Sequence, residues 1–394
     1  MFPVINVLAD VTIGYFGEHA SFHSGHIRAI IILTVMGFVV PGLNFKIRPS
    51  LVISLFLTYC FILLFGSSNF SYSFQEFLKF FIALMMYPLA FKYVKTKEDL
   101  GLLHRSYLVA CVLVVLQFVF AQVFKVGDRA YDVGIYLGGS EVQITYILAY
   151  IGIIFPSILL FNPKLKTWIL NSIILSNLAF VVITFRRSSI VAAVVGFLVL
   201  FFLGSSRRIL GRFFFLVSLG LVIVGFTYKE EISLLLESRL RIEDEMQRDH
   251  NRFGEFDHVK KPFVDGNLKE ILFGKEVFNS INLEIFRNTE TKIRPLHVDY
   301  NNMLFGMGVV GLSFYFLMFY QMVKTFLIVL TGVKDEKMRN ELKAVFFAVL
   351  MSNFVFSTSG QIWELTSLSF VFVYLGSLTS ISYHFPETLV IEEK

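Results

Sequence analysis

The chain has 394 residues, of which 55% are aliphatic, aromatic or cysteine and only 16% are charged. Soluble domains carry about 25% charged residues, so this composition, with a mean hydropathy of +0.68, excludes an ordinary soluble protein and points to a polytopic membrane protein. The net charge of +5 does not argue for a nucleic-acid partner, because much of the Lys and Arg lies in short loops, where it sets membrane orientation.

In chain order, apolar runs predict spans at about 27–44, 51–66, 75–93, 106–124, 143–160, 167–184, 188–204, 212–227, 303–323, 344–358 and 363–382. Residues 2–16 form either a twelfth span or an interfacial helix, since they are short and include Asp10. The first residues lack a basic stretch and a small-residue cleavage site, so no removable signal peptide is expected. Cys60 and Cys111 fall in apolar runs, where neither a disulfide nor a thiolate site is expected.

Basic residues alternate between connections. Lys46 and Arg48, then Lys92, Lys95, Lys97 and Arg105, then Lys164 and Lys166, then Arg207, Arg208 and Arg212, then Lys334, Lys337, Arg339 and Lys343 all fall on one side. By the positive-inside rule that side is cytoplasmic. The opposite, outer side receives loop 125–142, the TFRRSS turn at 184–189, the long segment 228–302 and the STSGQIW link. The expected organisation is an N-terminal transmembrane bundle (1–227), an extracytoplasmic loop (228–302), and C-terminal transmembrane helices with a cytoplasmic tail (303–394). The large loop mixes acidic and basic residues, which excludes a polycationic surface. It is expected to be a small, mainly helical element packed on the bundle, with a helix ending at Pro262 and with KEILFGKEVF as an apolar anchor broken by glycine.

Phosphate-loop, dinucleotide, HExxH and CxxC motifs are absent. His19, His23 and His26 could share a helix face as metal ligands, but three interfacial histidines are more often simply polar residues. No metal and no cofactor is expected.

Three outer features stand out. Arg186 and Arg187 lie at a membrane edge, against the orientation bias, where charge needs pairing or snorkelling. His297 stands at the mouth of an apolar helix beside Asp299, Tyr300, Asn301 and Asn302, with Gly306, Gly308 and Gly311 permitting close approach of a neighbouring helix. A histidine so placed can act as a general base, or can be a solvated interfacial residue. Arg252 in RDHNRFGEF could equally form an exposed salt bridge to Glu255 or Asp249.

The order of these features resembles the O-antigen ligase and O-antigen polymerase superfamily of integral-membrane glycosyltransferases, over about the last two thirds of the chain. Thr184-Phe185-Arg186-Arg187-Ser188 resembles that family's T-x-S-R-[GS] signature, with Arg187 as the family arginine and Arg186 in a small residue's place. Arg252 through ILFGKE resembles its loop signature. His297, Gly308 and Gly311 keep the spacing of H-[NSQ]-x9-G-x2-G, with Val298 departing at the second place. GDRAYDVGIYLGGSE resembles R-x-x-G-x-[FY], with two extra residues before Gly134, and makes Arg129 a further candidate.

The resemblance implies an all-α, GT-C-like membrane fold of eleven or twelve helices in the bacterial inner membrane, its site facing the periplasm. It implies a metal-independent, inverting glycosyltransferase acting on a polyprenyl-diphosphate-linked oligosaccharide. Arg187 and Arg252 would hold the diphosphate, and His297 would take the acceptor's proton. Arg186, Arg129, Asp299 and Tyr300 would contact substrate, although Asp299 could instead orient His297 or cap the helix. Membrane lipid is the surrounding partner, and a chain-length regulator protein is a partner left open. The departure at Val298 favours a repeat-unit polymerase over a ligase to lipid A core. A lipid-linked sugar flippase or an anion transporter is the competing class, and it would want broken helices near the midplane.

Overall fold

The computed structural model describes residues 47–126, 128–129, 136–138, 144–161, 167–183, 187–204, 256, 259–279, 296, 298–358 and 365–384, with isolated positions 4, 37, 211 and 233. Segment 2–16 and the predicted spans 27–44 and 212–227 fall almost wholly outside these residues, as do His19, His23 and His26. The fold is that of a helical membrane protein. Its described helices are α1 (Arg48–Leu64), α2 (Phe70–Tyr93), α3 (Lys97–Phe124), α4 (Ile144–Ile153), α5 (Phe155–Phe161), α6 (Thr167–Ile183), α7 (Arg187–Leu203), α8 (Lys261–Val264), α9 (Leu268–Phe273), α10 (Asp299–Leu330), α11 (Glu336–Ser357) and α12 (Leu365–His384). Among the described residues, α2, α3, α10 and α12 are long and apolar enough to cross a membrane.

Local chemistry sets the starts. Pro49 occupies the first turn of α1, where its missing N–H costs nothing. Asn69 caps α2 and Asp335 caps α11 through side-chain oxygens. Thr96 and Asp99 form a reciprocal capping box at the start of α3.

The expected span 143–160 is interrupted. The bonds from Ile154 N to Tyr150 O and from Ile158 N to Ile154 O carry the helical path through. Pro156 has no N–H to give, so the segment divides into α4 and α5. Loop 125–142 is not wholly irregular either. Strands β1 (Asp128–Arg129) and β2 (Tyr136–Gly138) pair antiparallel across a bulge, a small exception to the all-α expectation. Pro262 does not end a helix; it stands in the first turn of α8.

One parallel register, α2 with α12, and two antiparallel ones, α10 with α11 and α7 with α11, build the bundle. Gly376 of α12 faces α2 so closely that a Cβ there would lie 2.5 Å from the Tyr87 carbonyl oxygen. Ser380 donates to the Phe91 carbonyl at 2.7 Å in the same pair. Phe326 of α10 stacks on Phe346 of α11 with centroids 3.9 Å apart, Phe319 meets Phe354 at 5.3 Å, and the Tyr315 hydroxyl meets Ser357 Oγ at 3.2 Å. Ser352 of α11 donates to the Ala192 carbonyl of α7 at 2.8 Å, and Gly204 lies against Glu341 at the far end of the same pair.

Candidate functional site

α10 is not one rod. Gly308 leaves the helical region with φ 64 and ψ −169. Tyr300 nevertheless stacks on Phe316 with centroids 5.9 Å apart and lies 6.4 Å from Tyr315. On an unbroken helix, residues fifteen apart would be separated by roughly 22 Å. The nine residues Asp299–Met307 are therefore a half-helix folded back beside the rod 309–330. The 22 residues of that rod, ~33 Å long, suffice to cross a bilayer.

The loop anchor packs directly against this fold-back. Gly274 (φ 78) and Gly308 interlock: a Cβ on Gly274 would overlap the Gly306 carbonyl, and one on Gly308 would overlap the Leu272 carbonyl. Lys275 N donates to the Phe305 carbonyl at 2.7 Å. Gly306 thus admits the loop after α9, and Gly308 admits the end of α9 itself at Leu272 together with Gly274. Gly311 meets Tyr59 of α1. The two stretches that carry the ILFGKE and G-x2-G resemblances are in contact.

The start of the half-helix stands in a buried polar group. Asp299, 1% exposed, is its first residue and not its cap; that place belongs to Val298, whose side chain gives no cap bond. The carboxylate is favourably placed at the positive end of the helix dipole. Asp299 lies close enough to act electrostatically on the phenols of Tyr300 and Tyr315. Tyr300 donates to the Phe354 carbonyl at 3.3 Å. Asn353 is 0% exposed and approaches the Tyr315 hydroxyl, yet neither polar atom of its amide has a partner in hydrogen-bond geometry. Such an amide costs about 1–3 kcal/mol when left unpaired.

Register brings Arg187 to the same level. From the Ser352–Ala192 bond, five residues along each antiparallel helix lead to Ser357 and to Arg187, the first residue of α7. The positive end of the α7 dipole and that of the half-helix therefore lie at one level, that of Ser357. The Gly308 bend lies seven residues from Tyr315, about 10.5 Å higher along α10, so this group is recessed below the bend. Arg129 belongs to β1, whose partner β2 is tied to α3 by the bond from the Gln122 side chain to the Tyr136 carbonyl. That is the end of α3 remote from Lys97, the same end of the bundle as Arg187.

Arg186, Arg252 and His297 lie outside the described residues. The neighbours of His297 are placed, however. Asn302 Nδ2 donates to the carbonyls of Leu296 at 2.6 Å and of Val298 at 3.3 Å, bracketing position 297 on both sides. Tyr315, Asn353 and Ser357 were not singled out from sequence. Only Asn353 left a legible trace, an amide inside the apolar run AVLMSNFVF. Among the described residues no group of three or more His, Cys, Asp or Glu could hold a metal ion. No family model matches the chain, and no curated protein matches it.

Proposed function

We propose that the protein is an integral-membrane glycosyltransferase that polymerises polyprenyl-diphosphate-linked oligosaccharide repeat units on the outer side of a bacterial inner membrane. The observation that carries this reading is the convergence, at one recessed level, of the helix start bearing Arg187 with the half-helix that begins two residues after His297. Arginine offers a permanent charge and a planar fork for phosphate oxygens, and helix N-termini favour the same anion. In the proposed step an acceptor hydroxyl attacks the anomeric carbon of the donor sugar. The carbon–oxygen bond to the diphosphate breaks with inversion, His297 takes the hydroxyl proton, and polyprenyl diphosphate leaves against Arg187 and Arg252. Fixed charges facing that leaving group act where charge develops in the transition state, and a positioned base contributes roughly 10²–10⁴-fold.

Purified protein given a defined lipid-linked repeat unit should lengthen it, and His297→Ala should abolish the lengthening. A strain lacking the protein should carry single-repeat glycans. Long polymer that never reaches lipid A core would instead assign the ligase activity.

The break at Gly308 favours one second reading. Discontinuous helices whose N-termini face an anionic substrate are a hallmark of transporters. In that case the same preparation, reconstituted in vesicles, would move the lipid-linked sugar across the bilayer without forming a bond.

A further inference from the structure

We propose that residues Leu272–Asn279 are a positioning knot, with Glu276 as its latch, that holds the half-helix Asp299–Met307 in its folded-back pose. The inference is independent of the transferase reading.

Three sets of contacts carry it. On one side the knot engages α10 through the Gly274–Gly308 interlock and the Lys275–Phe305 bond. Both glycines occupy a backbone region open essentially to glycine alone. On the other side it grips the turn between α1 and α2. One oxygen of Glu276 accepts from Ser67 Oγ at 3.4 Å, from Ser68 N at 3.4 Å and from Asn279 Nδ2 at 3.1 Å. Asn279 also reaches Ser68 Oγ at 3.4 Å, and Ser67 is joined to Ser73 of α2 at 2.7 Å. Between these grips Phe278 adopts φ 55, which a non-glycine residue tolerates only when its surroundings impose it. Its buried ring packs on Phe80 at 5.5 Å and Phe77 at 6.1 Å.

The knot therefore spans from the α1–α2 turn to the bend in α10. An exposed loop needs none of this. Two glycine-only conformations in mutual contact, a left-handed phenylalanine and a carboxylate with three donors on one oxygen all serve one arrangement. What they fix is the direction in which the half-helix leaves Gly308, and with it the places of Val298 and Asp299.

The bonds to Glu276 are made to a single oxygen, so a neutral amide can accept them. Latching predicts that Glu276→Gln keeps the pose and Glu276→Ala releases it. The test is the rate of modification of Asn301→Cys by a membrane-impermeant maleimide, on full-length protein in detergent. Cys60 and Cys111 are both 0% exposed and contribute little background, whereas position 301 is 7% exposed. We expect Glu276→Ala to accelerate labelling at least tenfold and Glu276→Gln to leave it within about threefold of the parent. Gly274→Ala should accelerate labelling further. Because that variant can fail to accumulate, Phe278→Ala supplies a second, gentler disruption with the same expected direction. Unchanged labelling in Glu276→Ala and Phe278→Ala overturns the proposal. So does equal acceleration by Glu276→Ala and Glu276→Gln, which would mean that charge, not the bonded geometry, is what matters.

Discussion

Two buried polar groups lie at different depths of the bundle, and they are built on opposite plans. Toward the Lys97 end of α3, His104 is 0% exposed, with its ring nitrogen 3.1 Å from the Tyr374 hydroxyl and 3.4 Å from Ser157 Oγ. Its ring also packs on Phe161 and Tyr374. On α12, Ser377 and Thr379 return their hydroxyls to Val373 and Leu375, each at 2.7 Å, whereas those of Ser369 and Ser382 have no partner. Toward the Arg187 end, the group around Asp299 holds a buried carboxylate, an amide with both ends unpartnered and a broken helix. Closed polar groups add uniqueness to a core, whereas one left incomplete is a local cost that the rest of the fold must offset. The first plan holds helices together; the second keeps hydrogen-bonding capacity where the proposed reaction needs it.

This contrast can be broken in four ways. The largest effect is expected from Gly308→Val, since a β-branched residue at φ 64 that overlaps Leu272 straightens or displaces the half-helix. Polymer formation in membranes should fall at least about 100-fold at equal protein level, the loss typical of a reacting group misplaced by ~1 Å. His104→Ala should come next, and in stability alone. Loss of packing and of the Tyr374 and Ser157 partners should cost about 2–3 kcal/mol in denaturant unfolding, with turnover per folded molecule unchanged. Asn353→Leu should do the reverse. Thermal unfolding in detergent should show no loss, because an unpaired buried amide is removed, while turnover should fall about tenfold, equivalent to roughly 1.4 kcal/mol. If Asn353→Leu destabilises, or His104→Ala slows turnover, the distinction fails. The smallest effect is expected from Tyr59→Phe, which removes the 2.6 Å bond from its hydroxyl to the Met307 carbonyl beside the bend. One such bond is worth about 1 kcal/mol, and a fewfold drop in activity would show that the bend is supported from α1 as well.

Much of the helical frame could be read from hydropathy, because a bilayer forces long apolar runs into helices. Spans predicted at 51–66, 167–184 and 188–204 match α1, α6 and α7 within a few residues. The run beginning at Met303 was read as the start of a span, although its first residues belong to a segment that doubles back. Hydropathy has no sense of direction, and glycine in an apolar run usually signals close helix packing, not reversal. Arg187 and Asp299 were singled out on separate grounds. That they share a level follows from the pairing of α7 with α11 and of α11 with α10. No local sequence signal encodes that register, which emerges from contacts such as Ser352 with Ala192 and Phe326 with Phe346. Glu276 carries no local signal, because a single acidic residue in a charged loop looks solvated until its three donors are seen.

The fold-back at Gly308 makes α10 a depth gauge. Measured from the bend, the rod 309–330 runs to the far end of the bundle, while the shorter arm sets how far residue 298 reaches down inside it. Adding one turn to the shorter arm, four residues between Asn302 and Gly306, would lower that arm's beginning by about 5.4–6 Å without altering the rod. The level of the proposed site would then be fixed by the number of residues in a half-helix, and would not follow the thickness of the surrounding lipid.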